Sequence, residues 1–126
     1  MLTIDTSSWI EYFSGSIRGL KVKELIDSKE KIITPIIVLY EFSCKAAIEG
    51  IDIKSQLDFV KQRSAILNLN ENLVESTGKI YAKIRKQNNK ISLPDAIIIA
   101  IAEQSNSRIV SCDIDFKDIK DAIIIK

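Results

Sequence analysis

Histidine is absent from all 126 residues of this chain. Without an imidazole there can be no Ser-His-Asp or Cys-His mechanism and no His-bearing zinc site, so acid–base chemistry falls to carboxylates, lysine or metal-bound water. Cysteine is scarce. Cys44 and Cys112 lack a C-x-x-C spacing and lie in apolar stretches, which predicts two buried thiols in a reducing compartment. Long hydrophobic runs are also missing: the longest, Ala96 to Ala102, is far too short to cross a bilayer, and Met1 to Asp5 carries no basic leader. A soluble, cytoplasmic protein with no membrane partner is expected. Nor is there an excess of charge, since 18 basic and 17 acidic residues leave a net +1, so any surface for nucleic acid has to be a local patch.

What the chain does have is apolar content, 46% of its residues, enough to bury a core in one domain spanning 1–126 without disulfides or structural metal. Short β-branched runs alternate with longer stretches of helical period, the pattern of β-α units around a parallel sheet. Strands are predicted at Leu2 to Ile4, Ile32 to Thr34, Ile66 to Leu69, Arg108 to Ser111 and Ala122 to Ile125. Helices are predicted at about Ser7 to Phe13, Gly19 to Ser28, Ile36 to Glu49, Ile53 to Arg63, Asn72 to Gln87 and Pro94 to Gln104. The last carries three consecutive isoleucines, which favour a strand, but its start signals decide for helix. Ser92 can cap, Pro94 suits a first turn, and Asp95 completes an S-x-x-[DE] box with its carboxylate at the positive end of the dipole. Being apolar nearly all round, this helix is expected to be buried.

Asp5, Glu41, Asp95 and Asp113 each sit on or beside an apolar run. Taken singly, each aspartate has a structural explanation: Asp95 in its capping box, Asp5 as a cap for the first helix, Asp113 with Asp115 shaping the turn after the fourth strand. Glu41 fits such explanations least, because it falls in the apolar helical stretch Ile36-Ile-Val-Leu-Tyr-Glu-Phe-Ser-Cys. Jointly they have another reading. Parallel α/β sheets collect sequence-distant residues in the crevice at the carboxyl ends of their strands, and the four acids meet there if strands one and four are neighbours. Two carboxylates about 5 Å apart repel by roughly 3 kcal/mol at an effective dielectric near 20, more than the roughly 1 kcal/mol an N-cap returns. A divalent cation reverses that sign, and hard oxygen donors favour Mg²⁺ or Mn²⁺.

These segments resemble those of PIN-domain ribonucleases, specifically VapC-type toxins of toxin-antitoxin pairs. The likeness rests on Leu2-Thr-Ile-Asp-Thr-Ser-Ser-Trp-Ile-Glu-Tyr-Phe, Thr34-Pro-Ile-Ile-Val-Leu-Tyr-Glu-Phe, Leu93-Pro-Asp-Ala-Ile-Ile-Ile-Ala and Ser111-Cys-Asp-Ile-Asp-Phe, weak motifs singly but fairly specific in order and spacing. It implies a three-layer α/β/α fold with a five-stranded parallel sheet. It also implies a Mg²⁺ or Mn²⁺ site at Asp5, Glu41, Asp95 and Asp113, with Asp115 as a fifth candidate, and cleavage of single-stranded RNA. Thr6 is expected to orient the first acid by hydrogen bonding, and Ser111 keeps the hydroxyl that family members often supply as threonine. The resemblance further implies a small antitoxin partner docking near the first helices, and a homodimer. Competing expectations are an RNA-processing PIN nuclease without antitoxin, a catalytically silent PIN-like binding module, and a receiver-type signalling domain. The receiver needs an aspartate after strand three, where Asn68-Leu-Asn-Glu offers none.

Lys79, Lys83, Lys86 and Lys90 recur at i, i+4, i+7 and i+11 and line one helix face, a candidate RNA track or, by the commoner pattern, an ordinary solvated face opposite Leu73, Thr77, Ile80 and Ile84. Trp9, Tyr12 and Phe13 fall at i, i+3, i+4 and are expected to face the core, with an interface as the alternative.

Overall fold

The computed structural model describes residues 1–126. Its centre is a sheet of five parallel strands in the order β3-β2-β1-β4-β5, formed by β1 (Leu2–Ile4), β2 (Ile32–Pro35), β3 (Ala65–Leu67), β4 (Arg108–Ser111) and β5 (Ile123–Ile124). Six α-helices complete a three-layer α/β/α architecture: α1 (Thr6–Ser14), α2 (Ile17–Ile26), α3 (Ile36–Ile48), α4 (Lys54–Arg63), α5 (Val74–Arg85) and α6 (Leu93–Gln104). The strands are short β-branched runs buried on both faces, as the inner strands of a parallel sheet require: all of Leu2 to Ile4 and of Ile32 to Pro35 is buried. Leu2, Ile4, Trp9, Val22, Ile26, Ile98, Ile99 and Val110 pack into one core with the helices.

Successive strands step outward from β1 through β2 to β3, and the chain then returns to place β4 on the other side of β1. The order therefore reverses between β1 and β4, paired in register from Leu2↔Arg108 to Ile4↔Val110. That reversal opens a crevice at the carboxyl ends of these two strands.

Local chemistry sets the helix ends. Asp5 caps α1 by accepting from the Ser8 amide, and Gly15, at φ 69, closes the helix in the left-handed conformation that glycine adopts without penalty. Ser16 caps α2, so that helix begins two residues before the predicted Gly19. Gly19 then lets α2 lie directly on α1, since a Cβ there would stand 2.0 Å from the Glu11 carbonyl oxygen. Ser92 and Asp95 form the predicted reciprocal capping box of α6, with Pro94 in its first turn.

Several expected boundaries move. The third strand is Ala65–Leu67 rather than Ile66 to Leu69, because its ladder ends where Leu67 meets Pro35, the last residue of β2. The fifth strand shrinks to Ile123–Ile124, which have only Val110 and Ser111 to pair with. The helix expected over Asn72 to Gln87 divides into a 3-10 turn at Glu71–Leu73, capped by Asn70, and α5 proper. Only Thr77 of its inward stripe is fully buried; Leu73, Ile80 and Ile84 are half-buried. In α6 the run Ile98 to Ala102 is buried as expected, whereas Leu93 at its start is 60% exposed.

Cys44 is corrected as well: it is exposed, and only Cys112 is buried. On α3 the inward positions are Phe42 and Ala46, one turn apart, and the helical period carries Ser43, Cys44 and Lys45 outward. The aromatic stripe does face inward. Trp9 is buried, and Tyr12 and Phe13 pack edge-on and stacked with it and with Phe59.

Candidate active site

The carboxyl end of β1 delivers Asp5 straight into the crevice. Its backbone amide still bonds the Val110 carbonyl of β4, and its side chain, 3% exposed, is surrounded by hydroxyl donors. Ser7 Oγ lies 2.8 Å and 2.9 Å from the two carboxylate oxygens, and Ser111 Oγ donates to Oδ2. Burial pushes the Asp5 carboxyl above the usual carboxylate range, against the opposing pull of the bonds from Ser111, Ser8 and Ser7.

Ser111, the last residue of β4, ties two of the acids together. While it donates to Asp5, its Oγ also accepts from the Asp113 amide at 2.9 Å. Asp113 in turn caps the short 3-10 turn Ile114–Phe116 by accepting from the Asp115 amide. Asp115 accepts from Asn88 Nδ2 at 3.2 Å, which anchors this turn to the loop between α5 and α6. Ser7 adds a second tie, accepting from the Cys112 amide at 3.0 Å while it holds Asp5.

Asp95 enters from the first turn of α6. Its carboxylate bonds the Ser92 amide, and its proton affinity is raised, first by burial and further by the negative charges of Asp113 and Asp115. Glu41, half-buried on α3, is reached through Thr6, whose hydroxyl donates to Oε1 at 2.6 Å. Thr6 thus orients the second acid rather than the first, a correction to the expectation; Ser7 and Ser111 hold Asp5. The cause is helical geometry. Asp5 is the N-cap, so Ser7 is placed to reach it, while Thr6 opens α1 and projects toward α3.

Asp5, Asp95, Asp113 and Asp115 are therefore gathered at one end of the sheet, and Glu41 borders them through Thr6. They do not close into a cage: no group of three acidic or thiol side chains is drawn in tightly enough to hold an ion as it stands. Each carboxylate is instead turned onto its own donors, as mutually repelling groups would be. The donor set nevertheless suits a hard divalent cation. It is all oxygen, and both Asp5 and Asp95 hold their protons more tightly than a solvated carboxylate, a penalty that a cation would relieve. Ser7 and Asn88 were not singled out in the sequence, where a serine after an N-cap and an asparagine in a loop look ordinary. Lys79, Lys83, Lys86 and Lys90 are exposed, and Lys79 is paired with Glu75 at 3.2 Å on its own helix.

The family of the chain follows from comparison along its length. The model of the PIN domain matches residues 2–122, and the chain belongs to that family. Among individual relatives it is 28% identical over 120 residues to Ribonuclease VapC11 of Mycobacterium tuberculosis and to VapC ribonuclease Mb1587 of Mycobacterium bovis, with 92% of this chain and 89% of each relative covered. Of solved structures, Mycobacterium tuberculosis VapC20, described as a sarcin-ricin loop cleaving toxin, shares the fold with a TM-score of 0.78 over 100% of both chains at 19% identity. VapBC2 of Rickettsia felis, solved with a DNA fragment from its promoter, matches with a TM-score of 0.72 over 98% of this chain and 96% of that one at 20% identity. No helix is long and apolar enough to cross a membrane.

Proposed function

We propose that this protein is a metal-dependent endoribonuclease, the toxin of a toxin-antitoxin pair, which cleaves single-stranded regions of RNA. The observation that carries the reading is the serine-bridged pair Asp5 and Asp113 at the switch point, with Asp95 close enough to feel the charge of Asp113. Relatives named as VapC ribonucleases, and structural neighbours solved as toxin-antitoxin complexes, support it.

In this reading Asp5, Glu41, Asp95 and Asp113 hold Mg²⁺ or Mn²⁺, with Asp115 as an additional ligand candidate. When bound, such a cation offsets charge on the phosphodiester oxygens and makes water a competent nucleophile near neutral pH. The chain supplies the positioning. Ser111 and Ser7 hold Asp5, Thr6 holds Glu41 and the capping box holds Asp95 at the rim of the crevice, and a bound cation would draw their oxygens from these donors toward itself. The antitoxin would dock near the first helices, where Ile17 and Leu20 of α2 and Tyr40 of α3 are exposed. A homodimer is part of the same proposal.

The test is RNA cleavage by purified, RNase-free protein with EDTA and with Mg²⁺ or Mn²⁺. Activity is expected only with metal, and Asp5→Asn, Asp95→Asn or Asp113→Asn should each lower it by about a hundredfold or more, the scale on which a lost charged group at a reacting centre is felt. Wild-type rates in these variants would overturn the assignment.

A further inference from the structure

Arg18 is the second residue of α2, at the end of a helix where a positive charge meets the positive pole of the dipole. That placement works against α2 itself. The guanidinium instead spans two other elements: Nη2 donates to Glu11 Oε1 of α1 at 2.7 Å, and Nη1 donates at 3.0 Å to the Cys112 carbonyl, 94 positions further along the chain. Glu11 is held from its other oxygen by the hydroxyl of Ser16, the cap of α2, so the fork of Arg18 starts from an anchored base.

The corner between α1 and α2 does not need the second of these bonds. Gly19 already seats α2 directly on α1, and the Arg18–Glu11 pair, with side chains 43% and 22% exposed, is of a kind that contributes little to stability. What the second bond reaches is the turn from β4 to Asp113. The peptide group joining Cys112 to Asp113 is gripped at both ends: its carbonyl accepts from Arg18, and its N–H donates at 2.9 Å to Ser111 Oγ, the hydroxyl that donates to Asp5. One residue back, the Cys112 amide donates to Ser7 Oγ, which also holds Asp5. Because a peptide group is planar and stiff, fixing its oxygen fixes the direction of its N–H and, through Ser111, where Asp113 sits relative to Asp5.

We infer that Arg18 is a positioning residue of the acidic crevice, anchored by Glu11, which holds the Cys112–Asp113 peptide in place. Its only ion pair is with Glu11, so it acts on the four acids through that peptide and not through its charge. The consequence for RNA cleavage rests on the nuclease reading; the consequence for the turn does not.

Amide hydrogen exchange on the metal-free protein, run beside RNA cleavage with Mg²⁺, tests it. In Arg18→Ala the amides of Cys112 and Asp113 should exchange at least about tenfold faster, while those of β2 keep wild-type rates and the melting temperature falls by no more than about 4 °C. For cleavage, kcat should drop by about tenfold or more with KM for RNA unchanged, because the lost bond is to a backbone carbonyl and not to substrate. Arg18→Lys, which keeps the charge but has no planar fork to span both acceptors, should lie between the two in both measurements, and it carries the comparison if Arg18→Ala does not fold. Unchanged exchange at Cys112 and Asp113 overturns the inference, and so does an acceleration spread evenly over the sheet, which would make Arg18 a general prop. Faster local exchange with cleavage at the wild-type rate overturns it equally, since the grip would then not matter to the site. A wild type that cuts no RNA, with the local exchange effect present, sinks the nuclease reading alone.

Discussion

Asp5 performs two tasks at once, and they pull on its proton in opposite directions. As N-cap of α1 it accepts from the Ser8 amide, which favours the carboxylate; as a side chain sealed under the crevice it is desolvated, which favours the acid, and burial prevails. The native state therefore binds the Asp5 proton more tightly than the unfolded chain, where such a carboxyl titrates near 3.8. Stability from this group is fully present below that pH and is lost as pH rises through the higher native value. Asparagine caps a helix about as well as aspartate but carries no charge. Urea melts of Asp5→Asn in EDTA, from acid to neutral pH, should then show a flatter profile and a neutral-pH stability at or above that of the wild type. A large loss would mean that the carboxylate is chiefly structural. Of the partners of Asp5, the cap bond from the first helix and the hydroxyl of Ser111 are expected from the sequence, but Ser7 is not: Ser7 and Ser111 are 104 positions apart, and only the pairing of β1 with β4 brings them together. The four acids stand out in the sequence because each interrupts or borders an apolar run, and the hydroxyls of Thr6 and Ser111 stand out beside them; Ser7 does not, because serine has too many ordinary uses.

Among the elements, those with local signals were predicted best. The α6 capping box was read in full from Ser92, Pro94 and Asp95, and β1 and β4 keep their predicted bounds. β5 and the α2 start were misjudged, since strand length depends on what the neighbour offers and Ser16 looked no different from other loop serines. Gly19 illustrates what periodicity leaves out. A single added methyl would press on the backbone of α1, at 2.0 Å from the Glu11 carbonyl oxygen and 3.2 Å from Tyr12 Cα, and neither can swing aside. Gly19→Ala should therefore destabilise the protein by about 1–3 kcal/mol despite the better helix propensity of alanine, measurable by urea denaturation. A neutral or stabilising result would show that α1 and α2 are free to separate. Arg18 beside it pairs with Glu11 and bonds the Cys112 carbonyl, so the same contact steadies the turn that bears Asp113.

At the scale of the whole molecule, one reversal of strand order assembles the site from residues at opposite ends of the chain. The N-terminal strand carries Asp5, and β4, more than a hundred residues later, leads to Asp113; α3 and α6 approach from the layers. No stretch of the sequence holds the candidate site by itself. Cys112 lies in the first residue past β4, buried between Ser8 and the carbonyl it offers to Arg18, while Cys44 faces water on α3. The two thiols should therefore react on different clocks, Cys44 at once and Cys112 only as fast as the turn after β4 opens. Alkylation followed by mass spectrometry should add one label per chain at once and the second slowly, with Cys112→Ser removing the slow phase and a bound divalent ion lengthening it. Two labels arriving together would mean that this turn does not shield Cys112.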